Sequence, residues 1–429
     1  MTLFQITVIV GCVVLFVGLC ICVHMTRYLA WPGAQITRIA PCASESGKCA
    51  TLRVPGDTSQ QLQLELHTPF PSYAAVYNPS CAYISVDGVQ TPKLITATRI
   101  SSYTFCPGAN ISQHYAQQFD GIGVTWMGRA YQVHIPEAWF DERAAHEWQA
   151  SGGSGEYGPV LSVSVKRDIM RQWHIEDPRV FELASGVLGL LTSISTNDQH
   201  CIRMILFVVR LPCAQTESSL LTPQSVILLP AQGGNTKNWM ARVSNERIYL
   251  IVHVQPQTTL SLSLEDVLHA SNMVVLQPRV DLENDTSVGV PPGWRGNTSL
   301  VPSTIGGRPQ FIAIVHLKHN DPVQWGRWGI KAWGAMFVHA FARFDVEPPF
   351  RVRAVSRSFR IEPQMPLGAP SQFVFCTGLA RIPASTQVLV TFGVDDCYEA
   401  SCVFEHDEIE LLFDAASTAT VSKQIVVYA

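Results

Sequence analysis

The chain has 429 residues, of which 47% are hydrophobic and 15% charged, and its formal net charge is −4. That composition supports a large buried core, in two or three domains or in one large β domain built from repeats. Without a block of like charges, a nucleic-acid footprint is excluded.

The chain opens on an apolar run. Leu3 to Val23 carries no charged residue and has the length needed to cross a bilayer core as a helix, about 20 residues. It lacks the basic leader and short apolar core of a cleaved signal, so residues 1–25 read as an uncleaved signal anchor and residues 26–70 as a stem. Arg27, after the run, argues weakly for a cytosolic C-terminal side. Three glycan acceptor sequons, at Asn110, Asn284 and Asn297, argue the opposite. Of twelve cysteines, Cys12, Cys20 and Cys22 lie in the apolar run. Cys42/Cys49, Cys201/Cys213 and Cys397/Cys402 are close pairs without zinc-site spacing. Sequons with local cysteine pairs point to disulfides in an oxidising lumen. The expectation is a single-pass protein of the Golgi or endoplasmic reticulum with a lumenal C-terminal domain.

From about Tyr73 onward, short runs rich in Val, Ile, Thr and aromatics alternate with turn residues, which predicts a mostly β protein. Pro136 to Ser151 is the best helical candidate, and "SGGSGEYG" after it reads as a surface loop. One unit recurs: a polar motif, a strand, a turn and a very apolar strand. It starts at Asn78 ("NPSCAYISV"), Glu176 ("EDPRVFELASGVLGLL"), Lys237 ("KNWMARVSNERIYLIV"), Arg295 ("RGNTSLVPS") and Phe375 ("FCTGLARIP"). Five such copies predict an all-β, five-bladed β-propeller over residues 71–415, with 416–429 as a closing strand or tail. A two-sheet sandwich would not explain why every copy opens on polar groups. In a propeller those openings converge at one mouth of the central channel.

Those motifs, in that order and with a closing "FGVDD", resemble glycoside hydrolase family 130. That family comprises five-bladed propellers acting on β-mannosides, chiefly inverting phosphorylases, and the sequence is also similar to related mannosyltransferase/phosphorylases. The resemblance implies a carbohydrate substrate with a phosphate, sugar phosphate or nucleotide sugar as co-substrate, and no cofactor or metal. It implies Asp177 as general acid. Substrate and phosphate contacts fall on Asn78, Arg99, Glu176, Arg179, Lys237, Asn238, Trp239, Arg295, His316 and His339. An anionic nucleophile needs cations rather than a second carboxylate. A carboxyl beside Arg ordinarily stays ionised, so Asp177 needs burial or bound phosphate to keep its proton. The fourth motif departs from the family, with Asn297 where related sequences carry a second glycine.

Other readings stand beside this one. "EDPR" alone is a capped turn. "WGRWGIKAW", with Trp325, Trp328 and Trp333, suits sugar stacking or packing on a blade or membrane. The acid-rich "DDCYEASCVFEHDEIE" reads as a solvated blade edge; Asp395-Asp396 lacks the Asp-x-Asp spacing of a nucleotide-sugar metal site. A catalytically silent glycan-binding propeller and a structural scaffold of the secretory pathway are the alternatives.

Overall fold

The structure, a computed structural model, describes residues 75–86, 91–101, 120–126, 129–134, 173–196, 202–212, 220–229, 237–286, 290, 292–304, 307–319, 336–364, 374–394, 398–414 and 422–426. The apolar run, the stem, the helical candidate, the Trp loop, Asn110 and the Cys42/Cys49 and Cys201/Cys213 pairs lie outside them. Among the described residues no helix is long and apolar enough to cross a membrane. Cys81 and Cys376 are buried thiols, and Cys402 is buried while Cys397 is outside the described set.

Blade 1 comprises β1 (Ala75–Ile84), β2 (Lys93–Ser101), β3 (Asp120–Trp126) and β4 (Arg129–Val133). Blade 2 follows with β5 (Trp173–Ala184), β6 (Val187–Thr196) and β7 (Ile202–Arg210); β8 (Leu220–Leu221) then returns to β4, and β9 (Ser225–Leu228) rejoins β7. Blade 3 is β10 (Met240–Ser244), β11 (Arg247–Val254) and β12 (Gln257–Ser263), then helix α1 (Leu264–His269), β13 (Asn272–Val275) and β14 (Arg279–Asp285). Blade 4 holds β15 (Arg295–Gly296), β16 (Val301–Ser303), β17 (Gln310–His319), β18 (Met336–Phe344) and β19 (Val352–Gln364). Blade 5 is β20 (Val374–Arg381), β21 (Gln387–Val394) and β22 (Tyr398–Glu405), followed by helix α2 (His406–Phe413) and β23 (Ser422–Val426). These strands form five sheets, the five blades expected.

Three strands leave the blade of their sequence neighbours. β8 pairs parallel with β4, β13 parallel with β9, and β23 parallel with β19. Each covers the outer edge of the preceding blade, where unpaired N–H and C=O groups would otherwise face water. The closing segment is thus a strand of blade 4.

Alternation along each strand sends side chains to the two faces in turn, and each face meets a neighbouring blade. In β5, Val180 packs with Ile95 and Val124 of blade 1, while Phe181 packs with Leu250 of blade 3. Apolar clusters fill all five seams. They hold Trp126 between blades 1 and 2, Trp239 between 2 and 3, Phe350 between 3 and 4, and Phe392 between 4 and 5. The seam that closes the ring, between blades 5 and 1, has the smallest cluster: Cys81, Leu94, Ala380 and Leu389. Polar contacts supplement it. Thr377 and Thr391 of blade 5 both donate to the Pro79 carbonyl of blade 1.

Candidate active site

In blades 1 to 4 polar motif residues lie in or just before the innermost strand, and their side chains converge. Asn78, Asp177 and Asn238 sit at equivalent places in blades 1, 2 and 3, and all three have left-handed backbone, with φ of 54°, 46° and 65°. Asn and Asp are the non-glycine residues that take this conformation most readily. At the first two, the ladder slips by a bulge, between Tyr77 and Ser80 and between Glu176 and Arg179. A bulge re-aims the side chain it carries. The "NP" and "EDP" motifs therefore turn their polar side chains out of the sheet and toward the channel mouth.

The side chains then link the blades. Asn78 Nδ2 donates to Asp177 Oδ1 at 2.7 Å. Lys237 Nζ of blade 3 lies 2.9 Å from Glu176 Oε2 of blade 2. Arg179 is 1% exposed and joins three blades: Nη1 donates to the carbonyls of Asp177 at 2.8 Å and Pro178 at 3.3 Å, Nη2 to Asn238 Oδ1 at 3.1 Å, and Nε to the Asn297 carbonyl. A guanidinium has five N–H donors, so a single one is left for a ligand. Arg179 was expected to bind phosphate; it is chiefly the hub that holds the channel mouth together, with its charge aimed at Asp177. Burial lowers its pKa to about 10 despite the Asp177 carboxylate, so it stays charged at neutral pH.

Electrostatics at Asp177 are dominated by cations. Burial pushes its carboxyl up, but the charges of Arg179, Arg99 and Lys237 and the Asn78 amide outweigh that and hold it below the ordinary aspartate value. Lys237 is held above its usual value: burial lowers it, but Glu176 and Asp177 together raise it more. Arg99 lies over the Tyr77 ring at 5.3 Å on the blade 1 side. Asp177 is thus a carboxylate among three cations.

Blade 4 supplies a row across the mouth. Arg295 pairs with His316 in the β15–β17 ladder, and His316 with His339 in β17–β18. Both imidazoles are buried and neutral; burial drives His316 well below the usual value, with nearby His339 and Arg179 adding to it, and burial takes His339 to about 3. His316 stands edge-on to Phe337 and Phe375, and Phe375 lies beneath Arg179 at 5.9 Å.

Several expectations need correction. Trp239, expected to contact substrate, is 1% exposed, packed in the seam between blades 2 and 3. The left-handed Asn238 just before it re-aims the strand, so the indole points into the core. His339, which the sequence offers as a satisfied core histidine or a ligand contact, accepts from the Cys376 backbone N–H at 3.2 Å through Nε2 and so ties blade 4 to blade 5. Asn297 is 0% exposed, and a glycan cannot be carried on a side chain enclosed by the folded domain. Asn284 is exposed. The acid-rich stretch is not all solvated edge: Glu399 faces inward with a buried carboxyl oxygen, and burial raises its pKa to about 8. His406 to Phe413 is the amphipathic helix α2, opened by a Glu405/Glu408 capping box. Among the described residues no group of side chains suits a metal ion.

Two glycines were missed by sequence reasoning. A Cβ on Gly393 would lie 1.8 Å from Asn78 Oδ1, and one on Gly378 would lie 2.6 Å from the Cys81 nitrogen. Blade 5 thus receives the first strand of blade 1 into two places without side chains. The "FG" in "FGVDD" was the available signal: a glycine ending an apolar strand marks a close backbone approach.

No protein-family model matches the chain, and no curated protein matches it. Solved structures do align with it. A glycosyl hydrolase from Bacteroides ovatus aligns at 11% identity and a TM-score of 0.39, covering 77% of this chain and 84% of that one. A structure described under the family 130 mannoside phosphorylases, as containing glycoside hydrolases that target β-1,2 mannosidic linkages in Candida mannan, aligns at 12% and 0.38 over 77% and 84%. An exo-1,5-α-L-arabinanase from a bovine ruminal metagenomic library aligns at 9% and 0.38 over 78% and 94%. At these identities and scores the likeness assigns no activity, and the five-bladed architecture rests on the strand pairings of this chain itself.

Proposed function

We propose that the chain is a carbohydrate-active enzyme that transfers or cleaves mannosyl or related glycosyl residues by an inverting route. One observation carries the reading: Asp177, held by Asn78, stands among Arg99, Arg179 and Lys237 where five blades open onto one mouth. Glycosidic cleavage builds positive charge at the anomeric carbon and needs a proton on the leaving oxygen. A phosphate or sugar-phosphate group would settle among the cations and offset them, lifting the Asp177 carboxyl toward protonation. The acid then gives its proton to the glycosidic oxygen, by way of a sugar hydroxyl. The C–O bond breaks with its electron pair on that oxygen, while a phosphate oxygen bonds the anomeric carbon from the opposite face. Arg99 and Lys237, rather than the occupied Arg179, hold the anion in this scheme. A secretory-pathway location belongs to the same reading, supported by the sequons at Asn110 and Asn284 and the apolar N-terminal run.

The experiment is Asp177→Asn, which keeps a residue tolerant of left-handed backbone and removes the acid. Purified wild type would be incubated with mannose 1-phosphate or GDP-mannose and a mannoside acceptor. A loss of about 100-fold or more is expected in the variant, with equal turnover sinking the assignment. The cations that hold Asp177 ionised favour a second reading, a glycan-binding propeller without catalysis. Binding of mannosides without turnover of any donor would select it.

A further inference from the structure

Glu399, the second residue of β22, lies directly opposite Gly393 of β21. Cross-strand partners share a face, with Cβ positions about 5 Å apart. That face is turned to blade 1: Val403, on the same side of β22, packs on Cys81 and Leu94, whereas Ala400, Cys402 and Phe404 point to blade 4. Gly393 has no side chain, and Asn78 fills the space, its Oδ1 1.8 Å from where a Cβ would be. Glu399 therefore faces Gly393, and the oxygen of the amide that holds Asp177 lies at the place of the missing Gly393 side chain. Glu399 Oε1 is buried without a hydrogen-bond partner, a setting hostile to a carboxylate. Burial raises this acid to about 8, with no charged neighbour contributing.

We propose that Glu399 is a positioning residue for the Asn78–Asp177 pair: as a neutral acid it tolerates the Asn78 oxygen that lies at Gly393, and as a carboxylate it repels that oxygen and turns the amide away from Asp177. The catalytic consequence rests on the reading of Asp177 given above; the positioning itself does not. The surrounding groups do not supply a rival titration in this range. β1 presents Cys81 and Tyr83, both raised to about 12 by burial. β21 carries no ionisable side chain, and on β20 the Cys376 thiol is pushed well above its usual value by burial while Arg381 lies at the far end. Past Asn78 come Asp177, held below its usual value against the pull of burial by Arg179, Arg99 and Lys237, and those cations themselves.

The test needs no ligand. The Asn78 side-chain amide resonance, identified by its loss in Asn78→Gly, would be followed by NMR from about pH 6 to 9.5 in wild type and in Glu399→Gln. In the wild type it is expected to titrate near pH 8, and in Glu399→Gln to stay fixed. An amide that does not titrate in the wild type, or titrates equally in both, overturns the proposal; should the variant not fold, the wild-type titration decides alone. Turnover from mannose 1-phosphate is expected to fall roughly tenfold per pH unit above this point in the wild type and to lose that limb in the variant. Equal alkaline limbs would overturn the catalytic consequence. A wild type that turns over no mannoside defeats the functional reading while the amide titration still decides the role of Glu399.

Discussion

Asn78 and Asp177 form one unit across a seam: the amide of the first donates to the carboxylate of the second at 2.7 Å, and both are left-handed, with φ of 54° and 46°. Each is held by a bulge in its own blade, so the pair is pre-aimed rather than gathered by a ligand. Backbone and side chain can be separated experimentally. Asn78→Gly removes only the hydrogen bond, while Asn78→Ala also places a Cβ-bearing residue at positive φ. The alanine variant should be less stable than the glycine variant by about 1–2 kcal/mol, as read by denaturant titration.

Gly393→Ala should reproduce the loss of Asn78 function without touching Asn78. The added Cβ would fall 1.8 Å from Asn78 Oδ1, so the amide must leave its place, at a cost of about 1–3 kcal/mol. Combined with Asn78→Gly, the effects should fall well short of additive, since only the 3.0 Å approach to the Asn78 backbone nitrogen then remains. Full additivity in chemical denaturation would mean that the two residues do not meet.

Arg179→Lys tests the hub. An ammonium on a flexible stem cannot reach the carbonyls of Asp177, Pro178 and Asn297 together with Asn238 Oδ1. A loss of about 3 kcal/mol is expected, and a melting temperature within a degree of wild type would remove Arg179 from that role.

Two acids set opposite pH slopes on stability. The Asp177 carboxyl is held below its usual value because, although burial raises it, the surrounding cations prevail. Its contribution is present above the unfolded aspartate value and is lost as pH falls through the lower folded one, so acidification should destabilise the wild type more than Asp177→Asn. Glu399 is raised to about 8 by burial. The folded state keeps its proton where the unfolded chain has lost it, so stability declines from about pH 4.3 up to pH 8 and is then level. Glu399→Gln should therefore stabilise the protein more at pH 7.5 than at pH 5. A Gln effect that is the same at both would contradict the raised acid.

Much of the architecture is legible in the primary structure because the physics involved is local. The near-continuous apolar runs in "VLGLLTSI" and "RIYLIVHV" follow from sheets covered on both faces, and "NP", "EDP" and "KN" mark residues suited to left-handed backbone. What escaped is what depends on a distant partner. Nothing in "CYEASC" says that Glu399 will face a glycine six residues earlier and, beyond it, an asparagine from the first blade. Trp239 looked like a sugar platform because its composition is right; the left-handed Asn238 beside it decides its direction. Asn297 fits the acceptor pattern, but a sequon carries no information on enclosure.

The strands that cross to a preceding blade, β8, β13 and β23, have a consequence for the order of assembly. Blade 1 cannot cover its outer edge until the chain through Leu221 has been made, nor blade 2 until Val275, nor blade 4 until Val426. During synthesis each of these three blades therefore waits for a later strand, with an open edge available to other nascent chains. Removing residues 422–426 would leave the fourth blade in that waiting state permanently, soluble only as long as nothing else pairs with β19.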